Sequence, residues 1–243
     1  MRTRLRLLTA VLTAGIAIGG LSACGGLFRE HFKDDTTVSQ KITSVRLDTG
    51  SGAVTLRGGT GAGTVTVHRY VEYGGDRPEG ATHRVENGVL VLSGCGADCS
   101  VGYTVDLPAG IPVTGATSSG AVTLSGTGAV KVTTGSGAID LDGIRGPVDV
   151  RAGSGAITGH GLGAGPVAAR TGSGAVDLTV SSPQDVRAEA GSGAVTLIVP
   201  EAKYRLTAKT DNGGKDIAVD NDSSGTHRID VSTGSGAITV RHA

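Results

Sequence analysis

Asp140 and Asp177 occupy the same place in a repeated phrase, three residues beyond Gly137 and Gly174. A pair of opposed carboxyl groups is what hydrolysis of a glycosidic bond requires. The equivalent positions elsewhere are Thr55, Thr123, Thr158, Thr196 and Thr239. If these positions stack on neighbouring strands ~4.8 Å apart, the two carboxylates stand two strands apart. That is about 10 Å, just beyond the ~6.5–9.5 Å of an inverting pair. Both face water, and nothing beside them in the sequence is placed to raise either pKa. A hydroxyl row broken by two carboxylates is also a poor cage for calcium, a hard cation that takes about six to eight oxygens. The row Thr55, Thr123, Asp140, Thr158, Asp177, Thr196 and Thr239 therefore reads as a surface-binding ladder. Thr is also simply a good exposed strand residue.

The remaining reactive residues form no constellation. Gly214-Lys215-Asp216 lacks the hydroxyl of a phosphate-binding loop. The six histidines share no spacing, and no Gly-x-Ser-x-Gly elbow is present. Cys95 and Cys99 form Cys-Gly-Ala-Asp-Cys. Outside the cytoplasm such a pair reads as a disulfide, and zinc would need two further ligands that the sequence does not supply. No metal or cofactor is expected, and no enzymatic activity. Lys plus Arg and Asp plus Glu each total 22, so the basic excess of a nucleic-acid binder is absent.

The elements that carry these residues follow from repetition. Gly-Ser-Gly-Ala followed by Val or Ile starts at Gly50, Gly135, Gly153, Gly172, Gly191 and Gly234, with a near-copy at Ser118 and a worn one at Asp211. From 118 to 211 the phrases recur every 17 to 20 residues, and the last interval is 23. Fixed-period repetition marks a stacked architecture. Before each Gly-Ser-Gly, apolar residues alternate with charged or hydroxylated ones, as in Val130-Lys131-Val132-Thr133. After it the alternation resumes, as in Ile139-Asp140-Leu141. That is the period-two pattern of a half-buried strand. The outward basic residues Arg46, Lys131, Arg151, Arg170, Arg187 and Lys209 alternate with acids and read as a solvated ion-pair face.

The expected fold is all-β: a right-handed β-solenoid-like stack with two short strands per 17–20-residue coil, the hand following the rule for parallel crossovers. The competing arrangement is an antiparallel β-sandwich in which each Gly-Ser-Gly closes a hairpin. Residues 64–107 differ from the repeats. Glu86-Asn87-Gly88-Val89 is a strong hairpin signal. Val89–Ser93 and Val101–Leu107 read as a second strand pair stapled by Cys95–Cys99. This region is expected to cap one end of the stack, with regular repeats over 111–243. At the other end only charge would protect the final repeat.

Residues 1–23 read as a lipoprotein signal peptide: Arg2, Arg4 and Arg6, an apolar run from Leu7 to Gly20, then Leu21-Ser22-Ala23-Cys24. Lipidation at Cys24 would anchor the chain to the extracytoplasmic face of the cell membrane, since two acyl chains give a stable anchor. Residues 24–41 are then a tether, and 42–243 the repeat domain.

The run Val101-Gly102-Tyr103-Thr104-Val105-Asp106-Leu107-Pro108-Ala109-Gly110, followed by Thr117-Ser118-Ser119-Gly120-Ala121-Val122, resembles a bacterial β-strand-repeat family of candidate adhesins of unknown function, often found on lipoproteins. The resemblance extends from about Ile42 to Val240. It implies a β-solenoid-like domain on the cell exterior and carries over no binding residues. Two roles follow as expectations. One is an adhesin-like or structural surface module, with a cell-wall polymer as its possible partner. The other is an envelope accessory or sensor protein that pairs with a membrane protein through the open edge of its C-terminal coil.

Overall fold

The structure, a computed structural model, describes residues 29–59 and 63–243. The signal segment, Cys24 and Phe28 lie outside the described residues. In chain order the N-terminal strands are β1 (Glu30–Val38), β2 (Ser44–Ser51), β3 (Val54–Gly58), β4 (Val65–Tyr73), β5 (His83–Glu86), β6 (Val89–Ser93) and β7 (Cys99–Leu107). Five regular coils follow: β8 (Val113–Ser119) with β9 (Val122–Ser125), β10 (Val130–Ser136) with β11 (Ile139–Asp142), β12 (Val148–Ser154) with β13 (Ile157–Leu162), β14 (Val167–Ser173) with β15 (Val176–Val180), and β16 (Val186–Ser192) with β17 (Val195–Val199). The C-terminal strands are β18 (Tyr204–Asn212), β19 (Lys215–Ile217), β20 (His227–Ser235) and β21 (Ile238–His242). There is no helix among the described residues.

The strands form two sheets. Sheet I has the order β1-β4-β7-β3-β9-β11-β13-β15-β17-β21-β19, and sheet II the order β18-β20-β16-β14-β12-β10-β8-β2-β6-β5. Each Gly-Ser-Gly carries the chain from sheet II into sheet I, so it is a corner rather than a hairpin. Successive coils pair in parallel, Val130 beside Val148 and Ile139 beside Ile157. This is the β-solenoid-like stack, and the hairpin sandwich is excluded.

The corners lie in one column. Ser51, Ser119, Ser136, Ser154, Ser173, Ser192 and Ser235 are successive register partners. The glycine after each serine takes a positive φ, +135° at Gly155, and donates its N–H to the corner carbonyl of the next coil, a serine as from Gly155 to Ser173 at 2.7 Å, or Asn212 in the case of Gly236. A Cβ on Gly155 would lie 2.1 Å from the Gly137 carbonyl oxygen. Only glycine allows both the conformation and the approach of one coil to the next. Between the sheets the core is thin and aliphatic. Val130, Val132, Ile139 and Leu141 of one coil are at most 2% exposed. Each such side chain contributes roughly 1.5–3 kcal/mol by leaving water.

Neither end of the stack follows chain order. The coil of β2 and β3 packs directly on that of β8 and β9, and the chain between them, β4 to β7, folds outside it. At the other end the last coil, β20 and β21, inserts between the coil of β16 and β17 and the strands β18 and β19. The final repeat is therefore an inner coil rather than the bare end expected from the sequence. The worn phrase at Asp211 forms the outer one. Well-formed corners can be covered on both sides; a worn corner serves where it is covered on one.

Three other expectations change. Much of the proposed tether is β1, paired antiparallel with β4 so that Asp34 stands beside Arg69. Val89–Ser93 and Val101–Leu107 do not pair with each other: β6 joins sheet II beside β2, and β7 joins sheet I beside β3. The Cys95–Cys99 disulfide thus closes the corner of this outer coil, where the others have Gly-Ser-Gly. The Asn87-Gly88 turn does make the β5–β6 hairpin, with φ of +50° and +79°, the pattern of a type I′ turn.

The N-terminal end is closed by side chains. Arg69 takes an inward position and is 9% exposed. Its Nε donates to Asp34 at 2.9 Å, Nη2 closes a second bond to the same carboxylate, and Nη1 donates to the Gly80 carbonyl. This guanidinium holds the Asp34 carboxyl below its ordinary range, and the carboxylate in turn raises Arg69. Phe32 packs against Tyr73 and under the guanidinium of Arg77. The buried Tyr103 hydroxyl lies within hydrogen-bond distance of the Ser93 carbonyl, 2.7 Å, and of the Thr82 carbonyl and hydroxyl, with one hydrogen to donate among them, and burial raises its pKa. At the C-terminal end, Leu206 and Ile217 take inward positions but are only half-buried. There the free edge of β18 is blunted, because the Leu206 N–H donates to the Asn221 side chain and Asp222 N–H to the Tyr204 carbonyl. Lys215 Nζ also reaches the Ala208 carbonyl at 3.5 Å. Edge strands are commonly protected in this way.

Candidate functional site

The Thr/Asp ladder is a real column on the outer face of sheet I. Thr55 pairs in register with Thr123, then Asp140, Thr158, Asp177, Thr196 and Thr239 follow strand by strand. Each is half-buried and flanked by inward apolar neighbours. Asp140 and Asp177 are separated by Thr158 on β13, so they stand two strand spacings apart, about 10 Å. Nothing brings them together over a reacting atom.

The column is longer than the sequence reading gave. It continues through Thr104, His68 and Asp35 at one end and to Asp216 at the other. Asp216 obeys the same offset, three residues beyond Gly213, and was legible in the worn repeat. His68 and Asp35 lie in strands with no repeat phrase, and only antiparallel pairing places them. His68 Nδ1 lies 2.7 Å from Asp35 and Nε2 3.6 Å from Asp106. Among the described residues no group of three or more His, Cys, Asp or Glu side chains is disposed to hold a metal ion.

The outer face of sheet II carries the basic residues. Arg46, Lys131 and Arg187 fall in one row with Asp149 and Asp230; Arg151, Arg170 and Lys209 fall in the next with Asp48 and Glu189. Arg170 reaches across the strands to Glu189 at 2.8 Å, and Arg187 pairs with the same carboxylate. Arg151 pairs with Asp149 at 3.2 Å and Arg228 with Asp230 at 2.7 Å. These half-exposed pairs are each worth about 0–1 kcal/mol and organise the face more than they stabilise it.

Groups with shifted pKa values lie mainly at the two ends, where they serve closure. Burial, reinforced by Arg69, pushes His83 down. Beyond β18, Ser224 donates its hydroxyl and its backbone N–H to Asp222, and with Lys203 nearby that carboxyl is lowered to about 2. Asp34 and Arg69 line a small pocket with Phe32, Arg77 and Glu79, and there they are bonded to each other.

A family model described as Toastrack DUF4097 matches residues 112–241, more than half of the chain. The chain belongs to this family. The match covers the regular coils, β18 to β20 and nearly all of β21, and leaves the antiparallel N-terminal end of this Toastrack chain outside it. The resemblance to β-strand-repeat candidate adhesins stands with it. No curated protein matches the chain. Two solved structures are similar at low identity. A candidate cell adhesion protein from Clostridium sporogenes ATCC 15579 is 13% identical with a TM-score of 0.41, covering 88% of this chain and 100% of that one. A candidate adhesin from Parabacteroides merdae ATCC 43184 is 8% identical with a TM-score of 0.43, covering 88% and 96%. The fold of this Toastrack chain rests on its strand order and corner register, independently of those two likenesses.

Proposed function

We propose that this protein is a non-catalytic surface module of the cell exterior, lipid-anchored through Cys24, whose recognition runs along the faces of the stack. The observation that carries the reading is architectural. Across the regular coils the two sheets turn their charged side chains outward as ladders, and the groups with shifted pKa values lie at the two ends. Membership of the family supports the same class of role. The anchor fits the chain's geometry: β1 begins at Glu30, six residues after Cys24. That linker spans at most about 20 Å when extended, so the capped end would face the membrane and the β18–β19 end would point away.

The test is fractionation of cells expressing the natural chain or Cys24→Ser, with a radiolabelled fatty acid supplied. The natural chain should carry label and sediment with membranes. The variant should carry none and either leave the membrane or stay unprocessed. Unlabelled natural chain, or membrane retention of processed variant, would overturn the anchor.

A further inference from the structure

The outer faces of the two sheets differ in charge across the five regular coils. On sheet I, strands β9 to β17 present Asp140, Asp142 and Asp177 and no Lys or Arg. On sheet II, strands β8 to β16 present Lys131, Arg151, Arg170 and Arg187 against Asp149 and Glu189. Both faces have the same pitch and similar backbones, so the difference lies in the side chains alone.

A groove of about 580 Å³ runs across sheet II, from Pro112 to Asp230. One wall is made by the residues just before each strand: Pro112, Ala129, Pro147 and Pro166. These stack because their carbonyls accept from Val45, Val113, Val130 and Val148 of the neighbouring coil. That position uses only its carbonyl in these bonds, so proline fits there without loss. The opposite wall is the ion-paired row of Arg151 and Arg170. Between them Ala168 interrupts a row otherwise filled by Lys131, Asp149 and Arg187, and its small side chain leaves the groove open. Six strands cross it, a length of about 24 Å at 4.8 Å per spacing.

We infer that this groove binds a linear acidic polysaccharide. The inference rests on the surface-module reading and names its partner. Three parts of the lining match three parts of such a polymer. The proline and alanine wall suits the C–H faces of sugar rings. The guanidinium groups of Arg151 and Arg170 each use one nitrogen on Asp149 or Glu189 and keep further N–H donors to offer a carboxylate. Asp149 and Asp230 accept from sugar hydroxyls. An acidic polymer is attracted to this face and repelled by Asp140, Asp142 and Asp177 on the other, which sets the side on which it docks. The open, elongated shape suits a chain that continues past both ends, rather than a small ligand that must be enclosed.

The test is titration calorimetry of the full-length chain in detergent with polygalacturonate. Binding is expected, with none to neutral dextran. Ala168→Leu, which fills the groove without altering charge, should weaken binding at least 10-fold. Arg151→Gln/Arg170→Gln should do the same, while Asp140→Asn on sheet I should not weaken it. Thr114→Leu, also in the lining, serves as a second filling variant, and unchanged thermal unfolding would show that each variant is folded. No binding by the natural chain would overturn the assignment. So would full binding by both filling variants, or equal affinity for polyphosphate or single-stranded DNA, since either would reduce the groove to general charge attraction. The titration does not depend on Cys24, so its failure leaves the anchoring result untouched, and the reverse also holds.

Discussion

The regular coils and the N-terminal end solve the same problem with different chemistry. In the coils from β8 to β17, corner glycines bring backbone against backbone, and the interior is Val, Leu, Ile and Ala. In residues 30–107 the outer coil turns through a disulfide-closed loop, and the interior ends in Phe32, Tyr73, Tyr103 and the Arg69–Asp34 pair. Every aromatic residue lies outside residues 104–203. A slab held together by glycine corners is too thin for rings. An end has no next coil to crowd it, so bulky and charged side chains can close it there. Periodic backbone stacking extends a structure, and irregular side-chain closure stops it.

The sharpest way to break this contrast is to add one methyl group at each kind of corner. Gly155→Ala places a Cβ 2.1 Å from the Gly137 carbonyl oxygen at φ +135°. It should cost about 3 kcal/mol or more in chemical denaturation, since backbone strain and a backbone clash combine. Gly96→Ala, in the disulfide loop at φ +115°, meets nothing within 4 Å. It should cost about 1–2 kcal/mol from strain alone. Equal effects would mean that the stacked corner is no tighter than the loop.

The buried ion pair gives the next largest effect. Asp34→Ala leaves the Arg69 guanidinium buried without its charge partner. About 2–3 kcal/mol should be lost, less than for a fully enclosed pair because the Asp34 side chain is 37% exposed. Asp34→Leu/Arg69→Met should recover most of that loss by extending the aliphatic interior of the coils to the end. If the double variant is as unstable as the single one, the end cannot be rebuilt on the coil plan. Removing the disulfide with Cys95→Ser/Cys99→Ser opens only a short loop and should cost about 2 kcal/mol by the chain-entropy relation. Faster amide exchange should appear in β6 and β7, while β10 to β16 stay protected.

The regular coils were legible in the sequence because their rules are local. Gly-Ser-Gly fixes the corner, period-two alternation fixes the inward face, and Thr158 between Asp140 and Asp177 follows from counting. The buried hydroxyl column was missed although it recurs. Thr117, Thr171 and Thr233 stand just before a Gly-Ser-Gly or its Ser-Ser-Gly near-copy and donate to the carbonyls of Gly50, Gly155 and Gly193, but Ala152 and Ala190 interrupt the pattern. The ends were misread for a different reason. That β20 inserts between β16 and β18, or that β1 pairs with β4, depends on contacts between distant segments whose local patterns fit more than one neighbour. The charge difference between the faces was hidden for a third reason. Parity assigns a residue to a face only after each corner is known to change sheets, and the pairing of Arg170 with Glu189 made sheet II look balanced.

The smallest effect separates the two regions by pH. His83 lies on β5 at the N-terminal end, its Nδ1 buried without a hydrogen-bond partner, and burial lowers its folded pKa below 6.5. The unfolded chain therefore takes up a proton near pH 6.5, where the folded end still resists one. A group lowered on folding contributes stability that is present above the unfolded pKa and lost as pH falls through the folded one. Acidifying from pH 7.5 to 5 should therefore loosen the N-terminal end, read as faster amide exchange in β5 and β6. The regular coils should respond less, because no histidine is buried on β8 to β17. His83→Gln should remove the pH dependence of β5 and β6 without shifting that of β12 to β16. A variant that keeps the acid response in β5 and β6 between pH 7.5 and 5 would exclude His83 as its origin; Asp34, whose depressed carboxyl loses its contribution only as pH falls below about 4, acts in a separate and lower window. Whether protection begins to fall as soon as pH drops below about 6.5, or only once it drops below about 4, thus decides which of the two groups governs closure of this end.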